Sequence, residues 1–571
     1  MSARRSMLAI VVLALLVRVL PIDHGLPRRY VPDHHMIKRA LTMASERSLA
    51  PRMTAEMSYP YLVPYLLLPT YAAEYALGRV AGAWGGSAEF AQAATLRPGL
   101  VHLPARAWMA LFGALTAWAV YRAARAAELG SGALFASYLA ATCLLNVQLS
   151  THERPWAATL FFGALAAWAA VVHARSGARR ALLACGAAVG LAFACHQSGL
   201  AFAVLPALAW GYAPNAWRGS ELRRRLLEGA WCALVFAVVG FVAGHLYYLH
   251  GRPSGEQVIG GGAHDHAVSI GGQTIRTDIE LDAIPRMLAA VLGYDALLSL
   301  LGVAGLALAW RIRWLAPLVL AASIVALAAL VNPSDHVRYL SPALMLLSLP
   351  AGVLVQRLWE RRALRPLVAL ALALPLVQAL RFDWVVRAED TRAAAERVLT
   401  ELPPGSVVAI DHYGPQVELS RAALERLARL RPLYAREELR RSYFEAGVEP
   451  PNGAGLDAIQ CEDLFGIDPR TLEYTVKDDP RVRALGSTPR EVLAALGVTH
   501  LVLARRRPGR EQRPLESLVA GSAALRVVDP SAEPDDPCRE AFLPTEMDFA
   551  LAALWQVERP GPRLELYALL R

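Results

Sequence analysis

The sequence predicts a polytopic α-helical membrane protein of about eleven transmembrane helices followed by a C-terminal soluble α/β domain. Three observations predict it. Of the 571 residues, 55% are hydrophobic and the mean hydropathy is +0.33, a balance suited to lipid over much of the chain. From Met7 to Arg381 the apolar residues gather into blocks of about 16 to 24, the length a helix rising 1.5 Å per residue needs to cross about 30 Å of hydrocarbon. After Arg381 no such block remains, and strand-like and helix-like runs alternate instead.

The predicted spans lie near residues 7–22, 104–121, 132–149, 157–172, 181–195, 198–212, 229–249, 287–309, 314–331, 339–356 and 366–381. The opening MSARRSMLAIVVLALLVRVLP has the basic flank and apolar run of a signal peptide. It lacks a small-x-small cleavage site before the polar stretch, so it reads as a retained first span. Residues 59–80, YPYLVPYLLLPTYAAEYALGRV, are long enough to cross, but counting them inverts every later loop. Three prolines, Glu74 and a tyrosine-rich face suit a helix that lies in the interface or re-enters it; an ordinary span is the alternative.

Arginine placement orients the bundle. With the N-terminus in the cytoplasm, seventeen arginines face inward, from Arg4 and Arg5 to Arg361, Arg362 and Arg365, while the short outer loops hold only Arg154 and Arg338. Only two lysines occur, so the net charge of +9 is a topology signal and no nucleic-acid partner is expected. The plan has a transmembrane domain over 1–381 with long outer loops at 23–103 and 250–286, then an exported domain over 382–571. The expected location is the inner membrane of a bacterium, with the bilayer itself a partner. Large polar segments gathered on one side suit chemistry at the outer face, whereas a secondary transporter keeps its loops short and shows repeated halves.

In the tail, SVVAI, THLVLA and RLELYALL read as strands, and ALERLARL and PREVLAALG as helices. No phosphate-binding glycine motif is present. Four cysteines fall in apolar blocks and read as small core residues; Cys461 and Cys538 in the tail either pair in an oxidising compartment or remain apart.

Several outer-side residues are candidates for chemistry. Asp33 precedes His34, His35, Lys38 and Arg39, and a carboxylate beside basic groups at a membrane surface is suited to act as a base. A helix N-cap is the plainer reading of Asp33, and a metal site is an alternative use of the histidines. His152, Glu153 and Arg154 form a polar turn wedged between apolar spans, where charges are paired or functional. His196 and Gln197 occupy another outer junction, and Arg338 with Tyr339 a third, beside Asp335 and His336. A guanidinium at the mouth of a helix bundle suits phosphate. The glycine-rich loop 260–272, with His264, Asp265 and His266, is a candidate lid or metal site.

These pieces, in this order, resemble the GT-C superfamily of membrane glycosyltransferases, in particular bacterial relatives of protein O-mannosyltransferases and aminoarabinose transferases. The resemblance rests on Asp33 followed by YPYLVPYL, on Arg154-Pro155 before Phe161-Phe162, on the Gly-Leu-Ala-Phe, polar-pair, Gly-Leu pattern of residues 190–200, and on Arg338 to Pro342. The tail segments DTRAAAERVLTELPPGSVVAI, LGVTHLVLA and LELYALL are similar to that family's tail. The chain departs from the family pattern at Asp33-His34, where a second acid is common, at Trp156 in place of an Asp, and at His196 in place of a Lys.

What the resemblance implies is inverting transfer of a sugar, hexosyl or pentosyl, from a polyprenyl-phosphate donor to a lipid, protein or glycan acceptor. Arg338, helped by Arg154, His196 and Tyr339, would bind the donor phosphate and Asp33 would act as base, with His34, His35, His152 and Glu153 as further candidates. No cofactor is indicated by the sequence, and a divalent cation is left open. Two rival readings stand beside this one. A transporter or flippase of lipid-linked saccharides calls for charges at span centres, where Arg18 is the one noted; a non-catalytic scaffold calls for indifference to Asp33 and Arg338.

Overall fold

A computed structural model describes residues 3–28, 35–51, 59–214, 219–250, 267–270, 273–276, 279–331, 337–430, 455–467, 474–505, 515–529 and 551–569. Helices appear over every predicted apolar block: α1 (Ala3–Val19), α5 (Gly99–Ala126), α6 (Gly132–Thr142) with α7 (Leu144–Leu149), α8 (Trp156–Ser176), α9 (Arg179–Cys195), α10 (Val204–Tyr212), α11 (Gly219–Gly244), α12 (Ala283–Ala309), α13 (Ala316–Val331), α14 (Ser341–Glu360) and α15 (Arg365–Arg387). Between α1 and α5 come α2 (His35–Glu46), α3 (Leu62–Val80) and α4 (Ser87–Leu96). Among the described residues six helical stretches are long and apolar enough to cross a membrane: Gly99–Ala126, Trp156–Ser176, Glu221–Gly244, Ile284–Ala309, Arg338–Glu360 and Arg362–Thr400. The helix over residues 62–80 is not one of them.

The chain divides into two compact units. The first comprises Met1–Ile22, Asp33–Ala76 and Val101–Asp383. Its core is rich in alanine, with Ala136, Ala140, Ala164, Ala167, Ala192 and Ala321 all buried among Leu, Val and Phe202. Small residues let helix backbones approach closely where apolar surface alone gives little drive to associate. At Gly305 of α12 an added methyl would stand 2.1 Å from the carbonyl oxygen of Pro350 on α14, so only glycine fits that crossing. By contrast α11 and α15 expose Leu226, Leu234, Val238, Leu367 and Leu370, as lipid-facing helices do.

Two charges beyond Arg18 lie inside the apolar blocks, which corrects the reading of those spans as almost charge-free: Arg106 on α5 and Asp295 on α12. Both are buried. The predicted span 132–149 is also not one continuous helix. It breaks at Cys143, whose φ of −51° and ψ of 115° leave the helical region.

The second unit comprises Asp23–Pro32, Leu77–Leu100 and Trp384–Arg571. Its sheet has five strands in the order β4 (Ala458–Gln460), β3 (Val408–Ile410), β7 (His500–Arg505), β9 (Arg563–Ala568), β8 (Arg526–Val528). The β3–β4 and β3–β7 pairs are parallel; β7–β9 and β8–β9 are antiparallel. Alternating side chains feed two cores. Val408, Ile410, Val502 and Ala504 pack beneath one face with Leu399 and Leu427, from helices Thr391–Thr400 and Arg421–Leu430. Ala409, Leu501 and Leu503 pack on the other with Val492 and Leu493 of helix Pro489–Ala495. The α/β character expected of the tail is therefore present, with SVVAI, THLVLA and RLELYALL all supplying strands. Arg28 bonds Glu396 (Nε to Oε2, 2.8 Å) and Glu418 (3.2 Å) within this unit. A short antiparallel pair, β5 (Phe465–Ile467) with β6 (Tyr474–Val476), adds Phe465 and Tyr474 to the second of these cores; another, β1 (Ala267–Ile270) with β2 (Gln273–Arg276), belongs to the first unit and follows in sequence His264–His266, which lie outside the described residues. Cys461 is a buried free thiol and Cys538 lies outside the described residues.

Candidate functional site

The site is built around the loop Ser150–Pro155, which joins α7 to α8 within the first unit and is buried throughout. Burying three ionisable side chains in succession is costly unless each is engaged. Glu153 is engaged from α5. His102 and Arg106 stand one helical turn apart and so share a face; His102 Nδ1 lies 2.5 Å and Arg106 Nε 2.9 Å from the same oxygen, Glu153 Oε1. Arg106 also donates from Nη1 to the carbonyl of Ile22 at 2.8 Å, joining the end of α1 to the loop. Burial pushes the Glu153 carboxyl up. The Arg106 charge, the His102 hydrogen bond and the nearby His152 outweigh it and hold the group well below the usual carboxylate range. An acid so held stays ionised at neutral pH and accepts hydrogen bonds from the two α5 side chains.

A second set of contacts runs through aromatic rings. His196 ends α9 with an extended backbone (φ −156°, ψ 146°) and caps the 3-10 turn Gln197–Ala203, its Nδ1 accepting from the Ser198 amide at 3.0 Å. With Nδ1 occupied as an acceptor, the neutral ring carries its proton on Nε2. The ring lies 4.1 Å from Trp156 and 5.4 Å from Tyr59 between centroids. Tyr59 meets His35 at 5.9 Å, and Trp156 meets Tyr339 edge-on at 5.2 Å. Arg338 follows, its guanidinium 6.0 Å from the Tyr339 ring centroid. Three atoms here have no hydrogen-bond partner among the described residues though each is buried: Glu153 Oε2, Trp156 Nε1 and Arg338 Nε.

Of the residues singled out from sequence, the structure thus links His35, His196 and Tyr339 through rings, seats Arg338 beside Tyr339, and buries His152, Glu153 and Arg154 in one loop that leads directly into Trp156. Asp33 and His34 lie outside the described residues, as do Asp335 and His336. Arg39, from the same early segment, bonds the Tyr61 hydroxyl at 2.9 Å and helps to hold α2 against α3. Sequence reasoning missed His102, Arg106, Tyr59 and Asp295. The i, i+4 pair His102 and Arg106 at the head of an apolar span was the available signal. Among the described residues no group of three or more His, Cys, Asp or Glu stands together to hold a metal ion.

Residues 92–248, which contain α5 to α11 and the Ser150–Pro155 loop, match the family model described as dolichyl-phosphate-mannose-protein mannosyltransferase. The chain resembles the GT-C membrane glycosyltransferases. The match spans just over a quarter of the chain and includes Arg154-Pro155, Phe161-Phe162 and the His196-Gln197 pair. Among solved structures, the chain is similar to ArnT from Cupriavidus metallidurans bound to undecaprenyl phosphate, at 18% identity and a TM-score of 0.44, covering 71% of this chain and 67% of that one. It is also similar to an Archaeoglobus fulgidus oligosaccharyltransferase in the apo form, at 12% identity and a TM-score of 0.40, covering 88% and 69%. The same holds for AglB from that organism with an inhibitory peptide and a dolichol-phosphate, at 13% and 0.40, again covering 88% and 69%. No curated protein matches the chain.

Proposed function

We propose that this protein is an inverting glycosyltransferase of a bacterial inner membrane, moving a sugar from a polyprenyl-phosphate donor to an acceptor at the outer face, with its N-terminus in the cytoplasm. The observation that carries the reading is the buried Ser150–Trp156 segment. It lies inside the stretch that matches a lipid-linked mannosyltransferase family and sets cations and aromatic rings side by side at the end of a helix bundle. Aromatic faces suit a sugar ring, and guanidinium groups suit a phosphate.

In this mechanism an acceptor hydroxyl attacks the anomeric carbon from the side opposite the phosphate. The bond from that carbon to the phosphate oxygen breaks with its electron pair on oxygen, and the hydroxyl proton passes to Asp33. Arg338 and Arg154 neutralise the departing phosphate as charge develops on it, and His196 and Tyr339 bind it as neutral hydrogen-bond donors. Glu153 stays ionised and holds the loop, its second oxygen available to a sugar hydroxyl.

Arg18 and Asp295 are charges within spans, the feature a transporter reading calls for. Both bond to groups flanking the Cys143 break, which makes them supports of a bent helix and leaves the transferase reading in front. The deciding experiment is turnover of a panel of labelled polyprenyl-phosphate sugars by purified protein in nanodiscs, comparing wild type, Asp33→Asn and Arg338→Ala at equal folded yield. Release of polyprenyl phosphate by wild type and its loss in both variants is the expected result. No turnover across the panel, or turnover indifferent to Asp33, overturns the mechanism.

A further inference from the structure

A helix that stops inside an apolar bundle leaves backbone carbonyls at one end and amides at the next without partners, and no water is at hand to satisfy them. The span 132–149 stops in this way. α6 ends at Thr142, Cys143 turns out of the helical region, and α7 begins at Leu144. The chain has placed a charge of the right sign on each side of the gap. On the carboxyl side of α6, Arg18 of α1 donates from Nη1 to the Ala141 carbonyl at 3.0 Å. On the amino side of α7, Asp295 of α12 accepts from the Leu144 amide through Oδ1 and from the Leu145 amide through Oδ2, each at 3.2 Å, and the Cys143 thiol donates to Oδ2 at 3.2 Å. Cation at a helix C-terminus and anion at a helix N-terminus is also the arrangement the two macrodipoles favour.

Asp295 is itself irregular. Its φ of −138° and ψ of 62° interrupt α12, so a kink in one helix faces a break in another. That irregularity lets the carboxylate reach across with both oxygens. α7 is only six residues long and opens directly into Ser150–Pro155. Whatever fixes the first turn of α7 therefore fixes where the following loop emerges.

We propose that Asp295, with Arg18 opposite it, is a positioning residue: the pair holds the Cys143 break open and thereby sets the place of the His152–Glu153–Arg154 loop. The loop's catalytic use rests on the transferase reading; its placement by Asp295 does not. Two measurements on the full chain in nanodiscs separate the two claims. The first is amide exchange in wild type, Asp295→Ala and Asp295→Asn. Removal of both acceptor oxygens is expected to speed exchange over residues 143–155 by about tenfold or more, leaving α8 and α14 unchanged, with Asp295→Asn intermediate because one acceptor oxygen remains. Unchanged exchange at 143–155, or acceleration spread evenly through the bundle, overturns the proposal. The second is turnover with the donor that wild type accepts. Here Asp295→Ala is expected to lower kcat by about 10- to 100-fold with donor KM little altered, since a loop displaced by about an ångström loses alignment before it loses binding. Exchange confined to the loop with no wild-type turnover on any donor retains the positioning claim and removes the transferase reading; loop exchange accelerated with kcat unchanged removes the catalytic consequence. If Asp295→Ala does not fold, Arg18→Met supplies the same local test from the other side of the break.

Discussion

Arg106 and Glu153 form an ion pair with 2.9 Å between Nε and Oε1, and neither side chain exposes more than 2% of its surface. A pair this deep gains its strength from the lack of competing water, and removing one partner strands the other. Arg106→Met is therefore expected to destabilise the protein by about 3 to 5 kcal/mol, and the double variant Arg106→Met, Glu153→Leu to recover part of that loss. Thermal unfolding in nanodiscs, followed for all members of the cycle, measures both. Equal losses in the single and double variants would assign the cost to packing instead of charge.

The same pair predicts a pH dependence. Because the folded state holds the Glu153 carboxyl well below its ordinary value, the unfolded state binds the proton more readily. The stability that Glu153 contributes is fully present above its unfolded value of about 4.3 and is lost only as pH falls from there toward the depressed folded value. The difference in unfolding midpoint between wild type and Glu153→Gln should accordingly be flat from pH 8 down to 5 and shrink below about 4. A difference that already shrinks between pH 7 and 6 would mean a neutral carboxyl in the native state.

How much of this was readable in advance follows from what periodicity reports. Apolar blocks of membrane length marked out α1 and the helices from α5 to α15, though not α2, and the strand-like runs of the tail marked out β7 and β9, because burial acts residue by residue on both patterns. The Cys143 break was not announced. Residues 132–149 contain no charge and no proline to mark a stop, and the bonds made at the break come from partners over a hundred residues away, Arg18 and Asp295. The polar turn His152–Arg154 stood out as charge among apolar spans. Its partners straddle the predicted start of a span at residue 104, His102 in a long outer loop and Arg106 inside apolar sequence, and nothing local in either place marks them as partners of Glu153. Trp156 was noted only as a departure from a family pattern, since nothing local marks a tryptophan as a stacking partner for His196.

Gly113 offers a test of Arg18 from a third helix. A methyl group added there would stand 2.4 Å from Arg18 Nε and 2.5 Å from Ser150 Oγ, so the guanidinium lies directly over the glycine. Gly113→Ala, ordinarily favourable in a helix, is expected here to cost about 1 to 3 kcal/mol by forcing Arg18 aside. If the unfolding midpoint rises instead, Arg18 moves freely and its bond to Ala141 is not the constraint it is taken to be.

Trp156 distinguishes a ligand contact from a packing one. Its ring is buried against His196 and Tyr339, yet its Nε1 has no partner among the described residues. A buried donor left unmade costs about 1 to 3 kcal/mol, so it persists where something else collects the return, such as a hydroxyl or phosphate oxygen of the substrate. Trp156→Phe keeps the apolar ring and deletes the N–H. If the donor serves the substrate, the variant should fold as well as wild type or better while KM for the lipid-linked sugar rises about tenfold, the loss of one hydrogen bond in a dry site. Gained stability with unaltered KM and kcat would make the indole N–H a tolerated defect of packing and remove Trp156 from the substrate site.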